Sequence, residues 1–214
     1  MTDEDQQNLR EALKAVAVAL KESRVPFALI GGYAAWARGG PEPDHDVDFL
    51  IAEEDADEVE SVLAGKGFEI VHPPEDWLFK VFVDDSMIDI IHRACGSPAQ
   101  RSDAERASML EVLSVQMPVL EATDLMVQKL CALDEHYCDF AVLLPVARAL
   151  REQVDWDEVR RATAENDFAA ALLFLLQRLG VIGQARDGAG GTKFQRGAED
   201  EGVTKNARGA EGGT

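Results

Sequence analysis

Leu9, Leu13, Val16 and Leu20 recur at three- and four-residue intervals, so Asp3–Ser23 reads as an amphipathic helix. Pro26 opens a short apolar run, Phe27–Ile30, which reads as a strand. Gly31-Gly32 ends that run, and Tyr33–Arg38 reads as a short helix closed by Gly39-Gly40. Between Asp46 and Ile51 polar and apolar residues alternate with the period of a strand. Glu53–Lys66 is an acidic helix with Val59, Val62 and Leu63 turned inward. Three strand candidates follow, Phe68–Val71, Trp77–Val83 and Ser86–His92, and Asp84-Asp85 joins the last two as a hairpin turn. A polar loop, Gly96–Asp103, leads on to a strand at Val115–Leu120. From Ala122 onward the pattern is helical, over about 122–134, 136–150, 155–166 and 167–179.

Helices and strands alternating, then helices alone, give an α/β (α+β) fold class. The expectation is a mixed sheet flanked by helices and followed by a C-terminal helical bundle. The expected organisation is a first domain over 1–120, a helical domain over 121–182 and a glycine-rich tail over 183–214. The tail holds nine of the 17 glycines, and Phe194 and Val203 are its isolated large apolar residues. Such a segment buries too little surface to offset its ordering entropy, and we expect it to be disordered.

Composition adds one unusual fact. The 214 residues contain 40 Asp+Glu against 21 Lys+Arg, a formal net charge of −19. The tail's five basic and five acidic residues cancel, so all of this charge belongs to residues 1–182. A body this acidic repels nucleic acid and anionic membranes at long range. No apolar stretch approaches the roughly 18–20 residues of a membrane span; the longest strongly apolar run is Phe168–Leu176. The acidic start, Met1-Thr2-Asp3-Glu4-Asp5, lacks the basic and apolar regions of a signal peptide. The three cysteines, Cys95, Cys131 and Cys138, are too few and odd in number for a disulfide framework. Cys138 and nearby His136 lack the second ligand pair that zinc requires. These features together predict a cytoplasmic protein.

Three acidic residues stand on strands among apolar neighbours. Asp46 and Asp48 are two apart, so both leave one face of the same strand, and Asp89 lies between Ile88 and Ile90. Neighbouring carboxylates repel unless a cation compensates, and Mg²⁺ favours carboxylate oxygens. Two such ions can clamp the attacking and leaving oxygens of a phosphoryl displacement. Gly31-Gly32, at a strand-to-helix junction, lets backbone approach a phosphate.

Ile30-Gly31-Gly32, then Asp46-Val47-Asp48-Phe49, then Ile88-Asp89-Ile90 resembles the DNA polymerase β-like nucleotidyltransferase superfamily, over about residues 25–92. Thr123–Leu133, with Lys129 in a Lys-Leu-Cys-Ala-Leu context, and the later Asp139 resemble the AbiEii/MenT-like branch of bacterial toxin nucleotidyltransferases. The resemblance implies the nucleotidyltransferase fold and an NTP whose phosphates lie over Gly31 and Gly32. Asp46, Asp48 and Asp89 would be catalytic and would hold two Mg²⁺ (or Mn²⁺) ions, with Asp89 as the base toward an incoming hydroxyl. Lys129 and Asp139 would contact the nucleotide. Pro43-Asp44-His45 stands where members of the branch carry a basic residue and Thr, and Arg38 is the candidate to supply the missing cation. The implied acceptor is the 3′ end of tRNA, with a cognate antitoxin as partner. Arg10, Lys14, Arg93 and Arg101 are the candidates for a local basic patch. The alternatives are an aminoglycoside-type antibiotic nucleotidyltransferase, whose cationic substrate suits an acidic surface, and a nucleotide-binding module without transfer activity.

Overall fold

The computed structural model describes residues 2–43 and 46–183; most of the expected glycine-rich tail lies outside them. Helix α1 (Asp3–Ser23) opens with a reciprocal cap in which the Thr2 hydroxyl accepts from the Asp5 N–H and the Asp5 carboxylate accepts from the Thr2 N–H. Its apolar face, from Leu9 to Leu20, is buried. Strand β1 (Phe27–Ile30) is buried at every position and passes without a linker into α2 (Gly31–Ala37). Next come β2 (Val47–Ile51), a 3₁₀ turn at Glu53–Asp55, α3 (Ala56–Gly65), β3 (Glu69–Val71), β4 (Leu78–Val83) and β5 (Ser86–Ile91). A two-residue hairpin, β6 (Arg93–Ala94) and β7 (Ser97–Pro98), precedes α4 (Arg101–Glu105), β8 (Ser108–Val112) and β9 (Val115–Val119). The described chain finishes with α5 (Ala122–Cys131), α6 (Phe140–Leu150), α7 (Trp156–Ala162) and α8 (Asp167–Arg178).

Seven strands form one mixed sheet in the order β3-β4-β5-β2-β1-β9-β8. The central strands β1 and β2 are almost wholly apolar, as strands covered on both faces must be. β1 runs antiparallel to β2, β2 parallel to β5, and β5 antiparallel to β4. Tyr33, Phe49 and Phe79 are the largest fully buried side chains, and the core joins α1, the central strands and the C-terminal helices. The described residues belong to one compact unit.

The element types agree with the sequence pattern where that pattern was periodic. The pattern gives a polar loop over Gly96–Asp103 and no element between it and Val115, yet residues 93–112 hold a small hairpin, a short helix and strand β8. The reason is turn chemistry. Leu113 and Ser114 join β8 to β9 with φ of 51° and 65°, a conformation normally signalled by Asn or Gly. No described helix is long and apolar enough to cross a membrane.

Candidate active site

Three polar side chains meet in one row across the sheet. Asp48 on β2 pairs in register with Asp89 on β5, and Asp89 pairs with Lys80 on β4. Directly paired residues point to the same face of a sheet, so these three stand side by side. Lys80 Nζ donates to Asp89 Oδ1 at 2.9 Å, with both side chains largely shielded from solvent. On the other side of Asp48 the register partner is Ile30, the last residue of β1.

Gly31 follows Ile30 with φ of +67°, a region that favours glycine. A Cβ at this position would overlap Asp48 Oδ2 and lie 2.8 Å from Asp48 Cγ. The next glycine is constrained differently, since a Cβ on Gly32 would come 2.7 Å from Pro43 Cβ. The glycine pair therefore gives room to the Asp48 carboxylate on one side and to the loop carrying Pro43 on the other.

Asp46 does not sit on the strand. β2 begins at Val47, and Asp46 precedes it in the left-handed region, with φ of 54°. The turn, rather than the two-residue strand period, directs Asp46 to the site. Asp46 and Asp48 both line a cavity of about 590 Å³, together with Gly31, Gly32, Glu42, Pro43 and Lys129. Val142, Pro145 and Val146 of α6 close its far wall. Asp46 also lines a neighbouring cavity of about 410 Å³ with Asp5 and Asp85.

The electrostatics centre on Asp48. Burial pushes its carboxyl up to about 7, with further contributions from the charges of Asp89 and then Asp46; Lys129 and Lys80 oppose the rise. Burial lowers the Lys129 ammonium, and the Asp48 charge acts against that lowering. A carboxylate so disfavoured by its neighbours is one that a bound cation would relieve, and the oxygen donors suit Mg²⁺. Among the described residues no three His, Cys, Asp or Glu side chains converge as a ready ligand set, and Lys80 already holds Asp89.

The sequence-derived candidates thus separate. Gly31, Gly32, Asp46, Asp48 and Lys129 share the cavity, and Asp89 stands beside Asp48 in the same row. Arg38 is elsewhere. Its Nε donates to the Leu120 carbonyl at 2.7 Å, and its Nη2 donates to Ser108 Oγ at 2.7 Å and the Val119 carbonyl at 3.0 Å. Glu121 pairs with the same nitrogen at 3.2 Å. This guanidinium is committed to joining α2 to β8 and β9, and the cation expected from it at the nucleotide is not supplied. Asp139 is exposed and caps α6, accepting from the Ala141 N–H at 2.9 Å; it does not line the cavity.

Lys80, Glu42 and the α6 wall were not singled out from the sequence. Lys80 was accessible by counting. With Asp84-Asp85 as a two-residue turn, Val83 faces Ser86 and Lys80 faces Asp89. Glu42 accepts from Arg10 Nε at 3.0 Å and stands in an irregular loop that carries no periodic signal.

Several solved structures are similar to this one. The antibiotic-resistance factor ANT(2″)-Ia is 18% identical, with a TM-score of 0.44 over 84% of this chain and 95% of its own. A lincosamide antibiotic adenylyltransferase, LnuA, is 12% identical, with a TM-score of 0.47 over 72% and 99%. A tRNA nucleotidyltransferase solved with a primer tRNA and an ATP analog is 14% identical, with a TM-score of 0.34 over 78% and 60%. These are similarities of architecture and carry no information about substrate. No curated protein matches the sequence. Residues 1–182 match the family described as uncharacterised nucleotidyltransferase, and the chain belongs to that family of enzymes.

Proposed function

We propose that the chain moves a nucleoside monophosphate from an NTP to the hydroxyl of a small acceptor, using Asp46, Asp48 and Asp89. The observation that carries this reading is the in-register pair of Asp48 and Asp89 beside Gly31, whose missing side chain leaves space for the Asp48 carboxylate. Residues 1–120 would form the catalytic part, and 121–182 would contribute Lys129 and the α6 wall.

In this reading the phosphates lie against the Gly31-Gly32 backbone, where the chain can be approached closely. Lys129, on the same cavity wall, offers its charge to them. Asp46 and Asp48, with Asp89, would hold Mg²⁺, which supplies Lewis-acid polarisation of the phosphates and charge neutralisation. Asp89, oriented by Lys80, takes the proton of the acceptor hydroxyl. The acceptor oxygen bonds to the α-phosphorus as the bond to the pyrophosphate breaks. Positioning and electrostatic stabilisation carry most of such a reaction.

The charges near the site support an acceptor that is not a polyanion. Arg10 is paired with Glu42, Lys14 with Glu11, Arg93 with Glu53, and Arg101 with Glu54 and Asp55. Each cation considered for a nucleic-acid patch is thus matched by a carboxylate. The cavity on the other side of Asp46 adds Asp5 and Asp85. A second reading keeps the tRNA 3′ end as acceptor, and with it a cytoplasmic toxin controlled by an antitoxin. Lys129 in the cavity, at the position matching the toxin branch, supports that reading.

The test is incubation with Mg²⁺ and each α-labelled NTP, offering aminoglycosides, total tRNA and the protein itself. We expect pyrophosphate release and label on a small acceptor. Label on tRNA alone establishes the second reading. Full transfer by Asp46→Ala and Asp48→Ala would overturn the assignment.

A further inference from the structure

A further cavity, of about 470 Å³, adjoins the catalytic one at two points of the chain. Ile30 lines it where Gly31 lines the catalytic cavity, and Gln128 lines it where Lys129 lines the catalytic cavity. Consecutive Cα atoms are about 3.8 Å apart, so the two spaces neighbour each other at the end of β1 and again along α5. Ile91, two residues beyond Asp89 on the same face of β5, lines the further cavity as well. A ligand whose phosphates lie at Gly31 and Lys129 therefore has this space beside it for its other end.

The wall is apolar with a few polar groups, the usual make-up of a small-molecule pocket. Ile30 and Ile91 give apolar surface, and Trp77 gives a large ring that is 39% exposed. The Trp77 carbonyl accepts from the His92 N–H at 3.0 Å and the Arg93 N–H at 3.3 Å, which ties the residue before β4 to the end of β5. Asp76, Arg93 and Gln128 give the polar atoms. Of these three side chains only Arg93 bonds to another group among the described residues, through Nη1 to Glu53 Oε1 at 2.9 Å. The cavity thus offers a carboxylate that only accepts, guanidinium N–H groups not taken by Glu53, and an amide that does both. The edge of a purine carries the matching mixture of donors and acceptors. Its two fused rings also give an indole more stacking area than the single ring of a pyrimidine.

We propose that this cavity binds the purine base of the substrate NTP, with the base stacked on Trp77 and its edge read by Gln128, Arg93 and Asp76. The inference rests on the proposed nucleotidyl transfer for the seat of the phosphates. It makes the enzyme a user of ATP or GTP rather than of CTP or UTP. Gln128 suits adenine, whose N6 amine and N7 match one amide. Arg93 with Asp76 suits guanine, whose O6 and N7 accept and whose N2 amine donates.

The test uses the full chain with Mg²⁺, the α,β-methylene analogues of ATP, GTP, CTP and UTP, which bind without transfer, and inorganic tripolyphosphate. At least one purine analogue is expected to bind about 10-fold more tightly than both pyrimidine analogues. Trp77→Ala should raise the purine Kd about 10-fold, which removes the preference, and leave the tripolyphosphate Kd unchanged. Gln128→Ala weakens the adenine analogue more than the guanine one if adenine is the base, and Asp76→Ala does the reverse if guanine is. On the unmutated chain 8-azido-ATP or 8-azido-GTP should photolabel peptides holding Trp77 or residues 93–96, which decides the matter even where a variant fails to fold. Equal affinity for the four analogues, a purine Kd unmoved by Trp77→Ala, an equal loss of tripolyphosphate binding in the folded variant, or label outside those peptides would each overturn the proposal. Pyrophosphate release alongside any of these leaves the transfer reading standing. Purine binding in this cavity without transfer to any acceptor overturns that reading and keeps the site.

Discussion

The Asp48 carboxylate occupies the space where a side chain on residue 31 would begin. Gly31 therefore serves the carboxylate directly, beyond permitting a turn. Gly31→Ala must either move Asp48 or distort a backbone with φ of +67°. A misplacement near 1 Å at a reacting group costs about 100-fold. We expect Gly31→Ala to lose at least that much transfer activity while circular dichroism still reports a folded chain.

Asp48→Asn should separate activity from stability. The Asp48 carboxyl titrates near 7 in the folded chain against an ordinary value of 3.8. The folded state thus holds this proton more tightly than the unfolded one. The stability so gained is fully present below pH 3.8 and is lost as pH rises through about 7. At pH 8 the metal-free fold carries a disfavoured charge, which asparagine removes. Thermal melts without metal should show Asp48→Asn more stable than the parent at pH 8, with the advantage shrinking below pH 7, and no transfer activity. Added Mg²⁺ should raise the parent's Tm at pH 8 and leave that of the variant unchanged.

Lys80→Met should act through Asp89. It strips a shielded carboxylate of its counter-ion, and breaking one partner of such a pair costs about 1–3 kcal/mol. We expect a fall in kcat of about 10-fold or more, equivalent to about 1.4 kcal/mol, with the KM for NTP nearly unchanged. A double-mutant cycle with Asp89→Asn checks the route, because the stability loss should be smaller in the double variant.

Arg38→Ala should damage the fold rather than nucleotide binding. It leaves the carbonyls of Val119 and Leu120 and the Ser108 hydroxyl without a charged donor. Urea unfolding should report a loss of about 2–4 kcal/mol. Calorimetry on the folded fraction should return an unchanged Kd for NTP. Lys129→Met should give the reverse pattern, with near-parental stability and a Kd raised about 10-fold by loss of a charge-assisted contact.

Much of the site was legible because its chemistry coincides with strong local patterns. The apolar runs Phe27–Ile30 and Phe49–Ile51 announce central strands, and the glycines and acids flank them. The carboxylates and glycines therefore arrive at one sheet end by the fold itself. Arg38 stands away from the cavity for a physical reason. A guanidinium near a glycine turn looks free in sequence, while its partners lie 70 to 82 residues away. Asp46 reached the expected cavity by an unexpected route, since alternation along β2 cannot encode a left-handed residue ahead of the strand. Strand β8 was missed because Leu113-Ser114 makes its turn without the residues that normally signal one.

The hairpin of β4 and β5 makes the length of an exposed turn a property of the catalytic centre. Asp84-Asp85 fixes which residue stands opposite Asp89, and with two turn residues that residue is Lys80. One residue added between them, with β5 held in place, would shift β4 by one position. Phe79 or Val81 would then stand beside the carboxylate, and the ammonium would move to the opposite face. Insertions are usually tolerated at such a solvent-facing tip. Here the tip sets a ruler, and its two aspartates, neither of them in the row, govern the row's charge balance.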